Sequence, residues 1–111
     1  MAFWRRGDKR SAQAPGSLDR AASKDDLAHL EAFARSRHGV EAYVEPSTAV
    51  TATTVVLVAS TGEWTRRRIP SPDAARELGH RLAIPVYEAA VVGYPQRMRD
   101  WTAQRGHASA D

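Results

Sequence analysis

The run Thr65-Arg66-Arg67-Arg68 places three guanidinium groups side by side, between the apolar segment TVVLVAS and the helix start SPDAARELG. Strand side chains alternate between faces, so Arg66 and Arg68 share one face with Trp64 while Arg67 shares the other with Thr65. Such a basic comb can recognise phosphate or carboxylate, with the indole for stacking and the arginines for an anionic backbone. Tyr94, Gln96, Arg97, Arg99 and Trp101 form a second aromatic and basic set near the C-terminus. Each set has a structural alternative. Trp64 can pack on a helix while the arginines pair with Glu41, Glu45 or Glu63 across a sheet. Likewise, the C-terminal set can belong to a closing helix that packs Met98 and Trp101.

Other chemistry finds little support in the residue types. The chain has no cysteine, which removes disulfides, thiolate catalysis and Cys-ligated metals. His29, His38, His80 and His107 are scattered and none pairs at the i, i+4 spacing of a helical metal site. His29 and His38 read as exposed or capping residues, and His80 as a cation near a helix end. No phosphate loop, metal cage or cofactor box is apparent, so no catalytic residue, metal or cofactor is expected.

The chain has 111 residues, 42% hydrophobic and 26% charged, which suits one small folded domain. Its formal charge of +3 is uneven. Residues 1–23 hold five cations and two anions, residues 24–95 eight and nine, and residues 96–111 three and two. The excess therefore belongs to the ends, as a basic arm rather than a basic domain. Fourteen of the sixteen cations are arginine; only Lys9 and Lys24 are lysine. No apolar run reaches the roughly 18 residues of a membrane span, and MAFWRRGDKR lacks the apolar core of a signal peptide. The expected compartment is the cytoplasm.

The elements that must hold these residues follow from pattern. Residues 1–22 lack apolar periodicity and contain the breaker Pro15-Gly16, so they read as a disordered basic tail, with Phe3 and Trp4 offering an anchor. Ser23 and Asp26 have capping-box spacing, and Leu27, Leu30, Phe33 and Ala34 make one stripe, which predicts a helix over 24–37 stopped at Gly39. Val40, Ala42 and Val44 alternate with Glu41, Tyr43 and Glu45 in a half-buried strand ended by Pro46. Residues 50–59 are rich in β-branched residues without clear alternation, which predicts a central strand covered on both faces. Ser60-Thr61-Gly62 suits a tight hairpin loop into a third strand over 63–69. Ser71 and Pro72 open a second helix with Ala75, Leu78 and Leu82 facing the core. Residues 84–92 read as a fourth strand, followed by the Gly93-Tyr94-Pro95 turn, a short helix from about 96, and frayed residues 106–111.

The predicted architecture is α/β in the order α-β-β-β-α-β, with a four-stranded mixed sheet, flanking helices and a short C-terminal helix. Residues 23–95 form the domain, residues 1–22 its tail and residues 96–111 its C-terminal extension. A helical crossover makes strand four parallel to strands one and three.

That order resembles the restriction-endonuclease-like core, with HGVEAYVEP similar to its first strand. The resemblance implies a nucleic-acid-shaped scaffold without cleavage, because no acid lies between Pro46 and Gly62 and the third-strand triplet is Glu63-Trp64-Thr65. The first five elements are similar to the double-stranded RNA-binding domain, whose basic second-helix start is replaced here by Ser71-Pro72-Asp73. A closer likeness in wording covers residues 27–101. GEWTRRRIPSPDAARELG (62–79) and PVYEAAVVGYPQRMRDW (85–101) resemble segments of a family of small actinobacterial proteins. Its members are left uncharacterised or labelled oxidoreductase, and the resemblance implies no particular site residues.

The residues thus lead to a non-enzymatic module that docks on a macromolecule through Trp64, Arg66, Arg68, Tyr94, Arg97, Arg99 and Trp101. RNA, including the ribosome, is the leading partner class and another protein the next; no membrane is implied. The third strand as an exposed sheet edge also offers pairing between copies, as a homodimer. The alternative is a small enzyme or enzyme subunit, either an oxidoreductase or a degenerate nuclease-like domain.

Overall fold

The computed structural model of the protein describes residues 15–105, with side chains from residue 24 onward. Eight elements follow one another: α1 (Pro15–Ser36), β1 (Glu41–Glu45), β2 (Thr54–Val58), β3 (Trp64–Arg68), α2 (Pro72–Leu82), β4 (Val86–Glu88), α3 (Ala89–Val92) and α4 (Gln96–Arg105). The class, the order of elements and the C-terminal helix match the sequence reading, and the strands lie in the sheet order β3-β2-β1-β4. β1 and β3 run antiparallel to β2, and β4 runs parallel to β1. Among the described residues no helix is long and apolar enough to cross a membrane.

Helix α1 begins at Pro15, not near Ser23. A proline suits the first helical turn because its missing N–H has no intrahelical partner there, and Leu, Arg and Ala in the segment that follows favour helix. Ser23 and Asp26 consequently lie inside the helix rather than at its cap. Of the tail expected over residues 1–22, residues 15–22 are helical instead, while residues 1–14 with their Phe3–Trp4 anchor, and the frayed 106–111 segment, lie outside the described residues.

The remaining boundaries follow local chemistry more closely. Ser71 accepts a hydrogen bond from the Ala74 N–H at 3.1 Å and Pro72 occupies the first turn of α2. Between β2 and β3, Gly62 N–H donates to the Ala59 carbonyl at 2.9 Å and Ala59 N–H to that of Glu63 at 2.8 Å, closing the expected tight loop.

The fourth strand is the main correction: it holds only Val86–Glu88, not residues 84–92. Its partner β1 supplies the reason. Ala42, Tyr43 and Val44 pair with Val86, Tyr87 and Glu88, and soon afterwards β1 runs into Pro46, which has no N–H to offer a sheet. Ala89 and Ala90 then turn into the single helical turn α3, leaving Val91 and Val92 75% and 55% exposed.

Two apolar layers sandwich the sheet. Leu30 and Phe33 of α1 and Ala75 and Leu78 of α2 pack on Val40, Ala42, Val44, Val55 and Leu57. On the reverse face, Met98 of α4 packs with Tyr43, Val56 and Val58, with Trp64 and Tyr94 against them. Val55, Val56, Leu57 and Val58 are all fully buried, as a central strand covered on both faces requires. Each such side chain stabilises the fold by about 1.5–3 kcal/mol. Tyr43 is buried as well, so the centre of β1 is covered on both faces rather than half-exposed.

Candidate functional site

Strand β3 is one edge of the sheet, and its side chains divide as strand geometry dictates. Trp64 and Arg66 lie on the α4 side. The Trp64 indole N–H donates to Thr102 Oγ1 at 3.0 Å, and the Arg66 guanidinium sits 5.4 Å from the indole centroid. Arg66 donates through Nε and Nη2 to the two carboxylate oxygens of Glu45, at 2.9 and 3.0 Å. Glu45 also accepts hydrogen bonds from the hydroxyls of Thr54 and Tyr94. Burial alone raises the Glu45 carboxyl pKa, but the bonds from Arg66, Thr54 and Tyr94 outweigh it and the net displacement is downward.

On the opposite side, Thr65 and Arg67 meet α1. His29 Nε2 lies 2.7 Å from Thr65 Oγ1, Arg67 Nη2 lies 3.4 Å from His29 Nδ1, and Arg67 Nη1 lies 3.7 Å from Asp26. A guanidinium can only donate, so His29 Nδ1 accepts and the ring proton belongs on Nε2, which donates to Thr65. Thr65 is therefore not activated as a nucleophile by this ring. Burial and then the positive charge of Arg67 hold His29 below its ordinary value of 6.5, against an opposing pull from Asp26. His29 is thus a half-buried partner of β3 rather than an exposed or capping residue.

The C-terminal set serves mainly to fasten α4. Arg97 donates through Nε to the Ala59 carbonyl at 2.9 Å and through Nη2 to Glu41 at 2.8 Å. Arg105 covers the Trp101 ring at 4.1 Å. Arg99 is exposed on α4 and donates locally to the Tyr94 carbonyl and to Gln96, both at 3.3 Å. Trp64, Arg66 and Tyr94 therefore converge around Glu45, whereas Arg97 joins Glu41 and Arg99 and Trp101 remain apart from that network. The α4 set and the Trp64–Arg66 face share one side of the sheet.

Arg66, Arg67 and Arg68 nevertheless line one open cleft of about 420 Å³, together with Asp25, Asp26 and Thr54. The cleft wraps the end of the edge strand, which brings side chains of both faces to one opening. Arg67, Thr54 and the two aspartates were not among the sequence candidates. One signal was available: Asp25 and Asp26 sit four and three residues before His29, on neighbouring positions of one helix surface. Among the described residues no three His, Asp or Glu side chains are grouped to hold a metal ion.

Three carboxylates give the assembly its acid response. Glu41 is held below its ordinary value of 4.5 by the Arg97 hydrogen bond, Glu63 by that of Arg37, and Glu45 by the set described above. Each ionises more readily in the folded chain than in the unfolded chain, so its stabilising effect is complete above 4.5 and is lost as pH falls toward the folded values. His29, also depressed, adds a shallow loss beginning below 6.5. The urea midpoint is expected to decline slightly below about pH 6.5 and steeply below about pH 4.5. An unchanged midpoint between pH 6 and pH 3 would show that these pairs contribute nothing.

Comparison with protein-family models, with curated proteins and with solved structures finds no match for this chain.

Proposed function

We propose that the protein is a non-enzymatic binding module that captures an anionic macromolecule at the open end of β3. One observation carries this reading: Arg66, Arg67 and Arg68 reach a single cleft from both faces of an edge strand. Glu45 holds Arg66 in place, so that its guanidinium is a fixed part of the wall. Arg67 is held loosely: its side chain is 43% exposed and stands 3.7 Å from Asp26. At that separation the two groups share no short hydrogen bond, so the guanidinium can turn toward a phosphate or carboxylate of a partner.

Fluorescence anisotropy with a polyglutamate peptide and an oligouridine probe tests the reading between 50 and 300 mM salt. At least one probe is expected to bind with an affinity that falls linearly on a log–log salt plot. The double variant Arg67→Gln, Arg68→Gln is expected to lower that affinity about tenfold while the protein remains folded. Failure of both probes to bind, or equal binding by the double variant, would remove the proposal.

A further inference from the structure

The cleft gives charge, but the edge itself carries a second kind of information. Residues 53 and 69 and residues 59 and 63 are hydrogen-bonded across the β2–β3 ladder, through Ile69 N–H to the Thr53 carbonyl at 3.0 Å and Ala59 N–H to the Glu63 carbonyl at 2.8 Å. In an antiparallel ladder such pairs recur at every second residue, so Thr65 and Arg67 turn their main-chain groups toward β2. The main-chain N–H and C=O of Trp64, Arg66 and Arg68 consequently point away from β2, along the outer edge. Arg66 lies at the centre of this edge, which is about 17 Å long.

We infer that the occupant of this edge is an extended acidic polypeptide that adds to the sheet as a fifth strand beside β3. The inference rests on the anion-binding reading above and names the partner class. Alternating donors and acceptors along the edge match another polypeptide backbone, whereas a phosphate chain can only accept and leaves the outward carbonyls without donors. A guanidinium already occupies one face of each indole that would stack nucleic-acid bases: Arg66 lies against Trp64 and Arg105 covers Trp101. Asp25 and Asp26 at the rim repel a run of phosphates but tolerate a peptide whose acids face only Arg66 and Arg68. A second copy is a poor occupant. Two β3 edges paired antiparallel about Arg66 would set like charges directly opposite one another.

An acetylated heptapeptide of alternating glutamate and valine is the probe, with the full-length protein unaltered. When the peptide adds antiparallel with glutamates opposite Arg66 and Arg68, their amides face β3 and the valine amides face solvent. N-methylation of the glutamate amides is expected to weaken binding at least about tenfold, and N-methylation of the valine amides less than about threefold. Equal effects of the two methylations would overturn strand addition while leaving anion capture intact. Binding of oligouridine without binding of the peptide would likewise overturn it and assign the edge to nucleic acid. If neither binds, the anion-binding reading falls with it. Sedimentation of the free protein is expected to give a monomer. A dimer abolished by Arg66→Pro, which removes an outward N–H without touching the β2 ladder, would assign the edge to a second copy and overturn the proposal.

Discussion

Replacing Gly62 with alanine is expected to destabilise the protein by about 3–5 kcal/mol and to displace α4 from the sheet. Two penalties combine at this residue. Its φ is +97°, in a region where a side chain is strained. An added Cβ would also lie 2.1 Å from the Arg97 carbonyl oxygen, 2.8 Å from its carbon and 3.0 Å from Trp101 Cβ. Main-chain atoms of a packed helix cannot rotate out of the way, so α4 must shift. That movement loosens the Arg97 bonds to Ala59 and Glu41 and the Trp64 bond to Thr102. A loss of this size lowers the thermal midpoint of a domain this small by on the order of 15 °C or more. Tryptophan emission from Trp64 and Trp101 reports the same event without unfolding. Gly93 supplies the control, because it has a φ of +74° but no atom within 4 Å of the added Cβ. Gly93→Ala should therefore cost only the backbone strain, about 1–3 kcal/mol for a side chain at φ +74° and ψ −177°. If the two variants unfold within about 1 kcal/mol of each other, close approach of α4 is not what position 62 demands.

Truncating Glu45 to alanine is expected to move stability and binding in opposite directions. The carboxylate accepts two bonds from Arg66 and one each from the half-buried Thr54 and Tyr94 hydroxyls. Its loss leaves those hydroxyls without their acceptor and frees Arg66. The expected cost is about 2 kcal/mol, below the 3–5 kcal/mol of a fully buried pair because Arg66 is 43% exposed and can rehydrate. Removal of this negative charge also strengthens the positive field of the cleft, so affinity for the glutamate–valine peptide is expected to rise about two- to fivefold. Urea unfolding and anisotropy on the same preparation check both signs. Reduced stability with reduced affinity would mean that the Glu45 network serves binding through shape rather than by tempering charge.

These residues also show which parts of the protein were legible in one dimension. Helix α2 was readable because its signals are local: a serine cap, a proline in the first turn and an apolar stripe at helical spacing. Strand β2 was readable because an unbroken β-branched run has few other places to go. Strand β4 was not, since its length is set by β1, whose pairing ends near Pro46 some forty residues earlier. Arg67 escaped notice for a related reason. Alternation put it on the opposite face from Arg66 and Arg68, and only the end of an edge strand lets both faces share an opening.

The amino-acid pattern by itself determined the order of elements, the covered central strand and the division of Trp64 and Arg66 from Thr65 and Arg67. All of these follow from periodicities of two or 3.6 residues, which operate within a single element. Only the tertiary structure decided what each arginine touches: Arg66 meets Glu45, Arg97 meets Glu41, and Arg67 meets His29 and Asp26. Those pairings depend on strand register and helix placement. Coulomb attraction and hydrogen bonding act over a few ångströms, between groups separated in the chain by 21 to 56 residues.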